Sequence, residues 1–564
     1  MQKRWVVKPK NDVKKIDKLR NELGINPVIA DLLLNRNIST FEQAKRFFRP
    51  TLEMLHDPFL MRDMDKAITR IERAIGNKEK ILIYGDYDVD GTTAVSVVYS
   101  FFRDFHSGLE FYIPDRYLEG YGISTKGIDY AAENGFTLII ALDCGIKAIE
   151  KVNYAKSKNI DFIIGDHHLP GATIPDAIAV LDPKRLDCPY PYKELSGCGI
   201  GFKLIQAFIQ KNGMDIQLAY QYLDLVAVSI ASDIVPLTGE NRILTHFGLK
   251  KLNTNPSCGL QALINLSSNK TGQFSVNDIV FQIGPRINAA GRIEHARDAV
   301  KLLISKSLQE AKAYSATVDD QNNLRKDFDL RITEEALEII NGDERLKQRK
   351  STVLFKEDWH KGVIGIVASR LTEKYYRPTV ILTQTNGHIA GSARSVLGFD
   401  LYEALSECSD LLEQYGGHKY AAGLTMRLEN VPAFQERFEL VVSNSIKPEM
   451  LQQEVLIETE ISLSGIDAKF YRILKQFEPF GPQNEAPILL TRGVRGNGYI
   501  VGSNHIKVTV TQGDSAAFEC IGFGLSSYID YINSGQAFDI CYTIEENNWR
   551  GKRNLQLNIK AIRF

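Results

Sequence analysis

Between residues 81 and 181 five short apolar runs recur: ILIY (81–84), LEFYI (109–113), TLIIAL (137–142), DFIIG (161–165) and AIAVL (177–181). The segments between them, TTAVSVVYSFFRDF, GIDYAAENG and KAIEKVNYAKSKN, suit helices. Continuous apolar strands alternating with helices need cover on both faces, so this stretch predicts an α/β domain with a doubly wound parallel sheet over residues 77–250. In open sheets of this kind ligands bind beyond the carboxyl ends of the strands. Strand after strand here ends in acid.

ILIY runs into Gly85-Asp86-Tyr87-Asp88-Val89-Asp90-Gly91, LIIAL into Asp143-Cys144-Gly145, and FIIG into Asp166-His167-His168. A further apolar stretch, LVAVSIAS, readable as helix or strand, runs into Asp233. One Asp after a strand is commonly a cap or turn residue. Six Asp and two His gathered at one sheet edge, with no local Lys or Arg, repel one another and raise each other's pKa. Divalent cations remove that cost. Oxygen ligands with one or two imidazoles suit Mn²⁺ or Mg²⁺ better than a tetrahedral zinc site. So many carboxylates exceed the needs of one ion, and a two-metal hydrolytic site is the economical reading. GDYDVDG also has the start of a calcium loop, but no Glu stands at the twelfth position and a strand precedes it.

The remaining chain divides by texture. Residues 1–76 are read as an N-terminal helical region, with twelve Lys/Arg against five Asp/Glu in the first 50 residues. Ser39 or Thr40 is placed to cap a helix from Phe41, and MDKAITRIERAIG ends its helix at Gly76. Residues 251–345 are a helical connector carrying GPRINAAGR, and its stretch 300–341, without Gly or Pro, predicts a long helix. A second α/β lobe follows over 346–447, and residues 448–564 hold five or six alternating strands that fit an OB-like β-barrel.

Composition narrows the class. With 44% hydrophobic and 24% charged residues, the chain is not collagen, a coiled coil or a disordered protein. No apolar run approaches the roughly 18–20 residues that span a bilayer. The start, MQKRWVVKPKNDVKK, lacks the apolar stretch of a signal peptide. Seven scattered Cys without a CxxC fit a reducing cytoplasm rather than a disulfide framework. A net charge of −1 leaves any polyanion to local basic patches.

The order DYDVDG, DCG, DHH and ASDIVPL resembles the DHH phosphoesterase superfamily. IPDRYLEGYGIS (113–124), SGCGIGFKL (196–204) and GPRINAAGRI (284–293) extend the resemblance to the RecJ family of bacterial single-strand-specific DNA exonucleases. So do GVIGIVASRL, GSARS and GGHKYAAG, which are similar to the DHH-associated domain, and EPFGPQNEAPIL (478–489) with WRGKRNLQL (549–557), similar to the family's OB region. The resemblance covers nearly the whole chain. It implies Asp88, Asp90, Asp143, His167 and Asp233 as metal ligands, with Asp143 bridging two Mn²⁺ or Mg²⁺ ions and Asp86 in or beside the ligand set. Many DHH proteins carry a His where Tyr84 stands here, so water or Asp86 replaces one imidazole. His168 is placed to hydrogen-bond a non-bridging phosphate oxygen, and Asp166 to orient a His.

For the strand, Arg116 offers a guanidinium to phosphate and Tyr121 a ring on which a base stacks. Arg286, Asn288 and Arg292 sit among Gly and Ala that admit close backbone approach. Ser392 and Arg394, with His418, form a wall that by resemblance holds the 5′ end and its phosphate. Trp549, Arg550, Lys552 and Arg553 combine an aromatic with basic residues, suited to stacking and phosphate contact. The expected activity is metal-dependent 5′-to-3′ hydrolysis of single-stranded DNA in repair and recombination, by a monomer working with a helicase and a single-strand-binding protein. Two rivals stand beside it: a DHH phosphodiesterase of cyclic dinucleotides or short oligonucleotides, and a non-catalytic DNA-binding scaffold. The barrel and long N-terminal region argue against the first, and the intact acid and imidazole set against the second.

Overall fold

The computed structural model describes residues 3–267, 273–385, 387–549 and 552–564, with the backbone alone at 548, 549, 552 and 553. Residues 45–325 and 477–485 form one compact unit, and residues 1–44, 326–476 and 486–564 form another. Strand β1 (Arg4–Val7) lies near the N-terminus, followed by helices Val13–Leu23, Pro27–Leu34 and Phe41–Phe48. Thr40 caps the last of these: its hydroxyl accepts from the Gln43 amide while the Gln43 side chain accepts from the Thr40 amide.

In the first unit β2 (Lys80–Gly85), β3 (Leu109–Tyr112), β4 (Phe136–Leu142), β5 (Asp161–Gly165) and β6 (Ala179–Leu181) form one parallel sheet, ordered β3-β2-β4-β5-β6. Alternate residues bury against opposite faces. Ile81, Ile83, Leu138, Ile140 and Ile163 join the core of helices Val89–Phe102 and Gly197–Lys211, whereas Leu82, Tyr84, Ile139 and Ile164 join that of Thr125–Glu133 and Ile149–Ser157. The chain leaves β2 for β3 on one side and then crosses to β4 on the other, so the topological switch point lies between β2 and β4.

Register then aligns the acids. Gly85, Leu142, Gly165 and Leu181 occupy one row across β2, β4, β5 and β6. The next residue on each strand is Asp: Asp86, Asp143, Asp166 and Asp182. LVAVSIAS resolves as a helix, Leu223–Ser232, which ends at Asp233. EPFGPQNE packs in this unit rather than with the barrel strands. The Leu237 amide donates to the Pro482 carbonyl at 2.7 Å, and Arg242 donates to the Glu478 carbonyl at 2.9 Å.

The long helix expected over 300–341 is interrupted. Helix Arg297–Leu303 stops, and Leu308–Gly342 starts anew. Ser307 Oγ accepts from the Glu310 amide and Glu310 accepts from the Lys306 amide, a reciprocal cap that resets the helix without Gly or Pro.

The second unit holds β7 (Thr352–Phe355), β8 (Thr379–Thr385), β9 (His388–Arg394), β10 (Gln414–His418) and β11 (Ala421–Met426), ordered β10-β11-β9-β8-β7, with only β7 and β8 parallel. β12 (Glu454–Ile457) pairs in parallel with β1. After β13 (Thr459–Glu460), strands β14 (Leu489–Val501), β15 (His505–Thr511), β16 (Phe518–Gly522), β17 (Phe538–Trp549) and β18 (Lys552–Arg563) run β14-β15-β16-β18-β17 and close through β14–β17. With β16 and β18 parallel, that closure is the OB topology.

A buried ion pair anchors helix Gly197–Lys211. Lys203 Nζ lies 2.7 Å from Glu240 Oε1, both side chains being at most 1% exposed. Glu240 also accepts from the Tyr190 hydroxyl and the His56 amide. Lys203→Met leaves that carboxylate buried and unpaired, and is expected to destabilise by about 3–5 kcal/mol. Lys203→Met with Glu240→Leu should recover most of the loss in denaturant unfolding. A single variant that melts like wild type contradicts the assignment.

Candidate metal centre and strand-binding residues

The acids that follow the sheet converge with His167. Its Nε2 lies 3.1 Å from Asp143 Oδ1, 3.5 Å from Asp233 Oδ2 and 3.6 Å from Asp90 Oδ2. Ligand atoms of Asp143, His167 and His168, and of Asp90, His167 and Asp233, form two groups whose atoms lie within 4.8 Å of one another. Asp143 Oδ1, Asp86 Oδ2 and both ring nitrogens of His167 are buried without a hydrogen-bond partner among the described residues. Unpaired buried polar atoms are costly. Close approach without hydrogen bonding is the arrangement of a cation's ligands, and the oxygen-rich donor set fits Mn²⁺ or Mg²⁺.

Local sequence builds this cluster. Asp88 caps helix Val89–Phe102, its carboxylate accepting from the Gly91 amide at 3.0 Å. Asp90 accepts from the amides of Gly197 at 2.6 Å and Cys198 at 2.7 Å, at the start of helix Gly197–Lys211, and from Ser229 Oγ at 2.7 Å. Gly197 is required there: a Cβ would lie 2.6 Å from that of Asp143. Asp143 and Ile234 take left-handed backbone, at φ 61° and 59°. For a β-branched residue this is strained, and at Ile234 it turns the chain directly after Asp233.

Electrostatics carry the same signature. Burial first, and neighbouring carboxylates second, push Asp86, Asp88 and Asp143 above the usual carboxylate range, and Asp233 up to about 8. Burial likewise lowers His167. Nearby cations are felt but weakly: Arg116 acts on Asp86 and Lys184 on Asp233, and neither pairs with the cluster among the described residues. His168 differs. Burial acts to lower it, but the hydrogen bond and charge of Asp166 outweigh that and raise it. Its Nδ1 donates to Asp166 Oδ1 at 2.7 Å, and Asp166 also accepts from the Ile146 amide. Despite burial these donors hold Asp166 below its ordinary value. Asp166 therefore orients the ring of His168 and meets only the backbone amide of His167.

Of the residues in this unit predicted to bind the strand, Tyr121 meets His168 through its hydroxyl, 3.1 Å from Nε2, and is 57% exposed. Gly120 and Gly122 flank it at φ 84° and 80°. Arg116 lies over the Tyr87 ring, 4.9 Å from its centroid. Helix Gly284–Ile293 comes close to the Asp86–Asp88 turn, since a Cβ on Gly291 would lie 2.8 Å from the Tyr87 carbonyl. Asn288 is half-buried there, and the Arg292 carbonyl accepts from the Tyr117 hydroxyl. Arg286 is held within the fold, donating to Asp319 at 2.8 Å and to the carbonyls of Gln282 and Leu266.

In the second unit Arg394, Ala421 and His418 share one row across β9, β11 and β10, and Ser392, Gly423 and Gly416 share the row two residues away. Arg394 donates to Ser392 Oγ at 3.2 Å. The three predicted residues thus share one strand face on which the glycines leave room. Arg550 lies outside the described residues, as do the side chains of Trp549, Lys552 and Arg553.

Two groups escaped the sequence reading. Asp182, fully buried, follows AIAVL as the other acids follow their strands, and burial raises it to about 7. The same strand-then-Asp signal was available. Glu119 accepts from the Tyr112 and Ser124 hydroxyls and from the Asp115 amide, fixing the loop that carries Arg116 and Tyr121. No spacing rule marks such a loop anchor.

Comparison with known proteins gives the family. Residues 80–230 match the DHH family N-terminal domain, 348–444 the DHHA1 domain and 457–561 the RecJ OB domain. The single-stranded-DNA-specific exonuclease RecJ of Bacillus subtilis is 36% identical over 562 residues, 99% of this chain and 70% of that protein. The protein of the same name in Salmonella typhimurium is 31% identical, over 95% of this chain and 96% of its own length. Among solved structures, RecJ of Thermus thermophilus in complex with Mn²⁺ superposes with a TM-score of 0.85 at 26% identity, over all of this chain and 79% of that one. Its Mg²⁺ complex gives 0.79 at 25%, over all of this chain and 78% of that one. With DHH, DHHA1 and OB domains in that order, the chain belongs to the RecJ family.

Proposed function

We propose that this chain is a divalent-metal-dependent exonuclease that hydrolyses the phosphodiester bonds of single-stranded DNA from the 5′ end, in DNA repair and recombination. The observation that carries the reading is the convergence of Asp90, Asp143, Asp233 and His167, with Asp143 Oδ1 and both His167 ring nitrogens buried and without a hydrogen-bond partner among the described residues. Asp88, Asp90, Asp143, His167 and Asp233 hold two Mn²⁺ or Mg²⁺ ions, with Asp86 adjoining. Bound ions supply Lewis acidity, which activates water and neutralises phosphoryl charge.

The chain's own residues do the rest. His168, oriented by Asp166, which also raises its pKa, presents Nε2 to a non-bridging phosphate oxygen and exchanges the Tyr121 hydroxyl for it. Tyr121, released between its two glycines, stacks on a base while Arg116 takes a phosphate. The Ser392, Arg394 and His418 face takes the 5′-terminal phosphate. The enzyme acts as a monomer, beside a helicase that opens duplex and a protein that coats single strands. No helix among the described residues is long and apolar enough to cross a membrane.

Digestion of 5′-labelled oligonucleotides with Mn²⁺ tests the reading: labelled mononucleotide appears first, and a blunt duplex resists. Release from the 3′ end, equal attack on duplex, or cleavage confined to fragments of two to five nucleotides contradicts it. Asp143→Ala is expected to abolish hydrolysis, by at least about a thousandfold, while binding of a labelled strand persists. Asp166→Asn should lower kcat by about 10–100-fold with a smaller change in KM, because it releases the orientation and charge of His168.

The carboxyls also predict a metal-dependent stability. A carboxyl whose pKa is higher folded than unfolded takes up protons on folding, so the metal-free protein loses stability as pH rises from about 4 towards the Asp233 value of about 8. Divalent ions take the protons' place. Mn²⁺ is expected to raise the melting temperature, by an increment that grows from about pH 6 to about pH 8. An equal increment at both, or none, runs against this account.

A further inference from the structure

The second unit contains a cavity of about 170 Å³ that the hydrolytic reading does not use. Its lining comes from both ends of the sequence. β1 pairs in register with β12, from Arg4↔Glu454 to Val7↔Ile457, and Lys3 and Trp5 reach the cavity beside Phe523, Tyr528, Lys560 and Arg563. Lys3 Nζ donates to the Lys560 carbonyl at 3.2 Å, and the Arg563 guanidinium lies 4.3 Å from the Trp5 ring centroid. Among the described residues none of these three cations has a carboxylate within ion-pair distance. Burial pushes the Lys560 ammonium below its ordinary pKa and Lys3 adds to that, against Glu545. Converging like charges around a cavity call for an anion.

The rings beside it define what that anion is attached to. Ile506, Gly522 and Ile559 share a row and are buried in the barrel. One residue further on, His505, Phe523 and Lys560 therefore turn to the outer face. The Phe523 ring is 59% exposed, with His505 edge-on at 5.1 Å. An exposed flat face beside clustered cations suits a base next to its phosphate, whereas an aromatic peptide side chain would need an enclosing pocket. We propose that this cavity is a distal nucleotide subsite, in which Lys3, Lys560 and Arg563 hold a backbone phosphate of single-stranded DNA and Phe523 stacks on the adjoining base. The subsite rests on the single-strand reading above and extends it beyond the hydrolytic centre, using an N-terminal strand to complete a C-terminal barrel.

The test measures binding of fluorescent oligothymidylates of about 40 and about 6 nucleotides to the full chain in EDTA, across a salt series. Lys3→Gln with Lys560→Gln should make the salt dependence of the long strand shallower by about 0.7 in log–log slope per cation removed. Phe523→Ala, on an exposed ring that folding does not need, should weaken the long strand roughly tenfold. Binding of the short strand, and its hydrolysis with Mn²⁺, should be unchanged in both variants. Unaltered long-strand affinity and slope, with short-strand hydrolysis intact, overturn the subsite and leave the exonuclease reading standing. Loss of binding to an acidic, tryptophan-containing peptide with DNA binding unaffected overturns it in favour of a peptide site. A wild-type chain that neither binds nor cuts either strand overturns both.

Discussion

Mutual repulsion among carboxylates buried at one sheet edge is the constraint from which the rest of the first unit follows. Four strands place Asp one residue past a common row, so the register of the sheet itself sets the acids side by side. Nothing in the sheet requires this, because apolar residues would close the same edge at no electrostatic cost. The fold instead spends specific devices on keeping the acids together: a left-handed Asp143, a strained Ile234, and a Gly197 without which a helix end could not reach Asp143. Such an arrangement is stable only with positive charge among the carboxylates, whether protons or divalent ions supply it.

Around that cluster the hydrogen-bond donors are distributed unevenly. Asp90 and Asp166 are rich in them, with backbone amides fixing each carboxylate. Asp143 Oδ1, Asp86 Oδ2 and the His167 ring are left without any among the described residues. Those donors fix Asp90 and Asp166 to the scaffold, whereas the atoms of the second set have no such tie. His168 belongs to neither. Asp166 holds its Nδ1 on one side and raises its pKa, and the Tyr121 hydroxyl meets its Nε2 on the other.

Much of this was legible in the sequence, for identifiable reasons. Strands buried on both faces are continuously apolar, so their ends, and the acids beyond them, could be placed from ILIY, TLIIAL and DFIIG alone. LVAVSIAS carries no such marker, since a fully buried helix and a buried strand look alike over eight residues. The break at 304–307 was missed because Ser307 and Glu310 reset the helix with side chains that also sit well within one. Arg286 and Tyr121 were read by residue type, and only their partners, Asp319 for one and His168 for the other, give them their places. EPFGPQNE lies among barrel sequence yet packs with Leu237 and Arg242, a contact made by tertiary structure and invisible to local pattern.

The central claim is that the converging acids and His167 form one cage for paired divalent ions. Anomalous diffraction at the manganese edge, from crystals grown with Mn²⁺, tests it most directly. The account predicts two peaks about 3.5–4 Å apart, within reach of Asp143, with ligands drawn from Asp88, Asp90, His167 and Asp233. Peaks elsewhere on the chain, or none at saturating manganese, would contradict it.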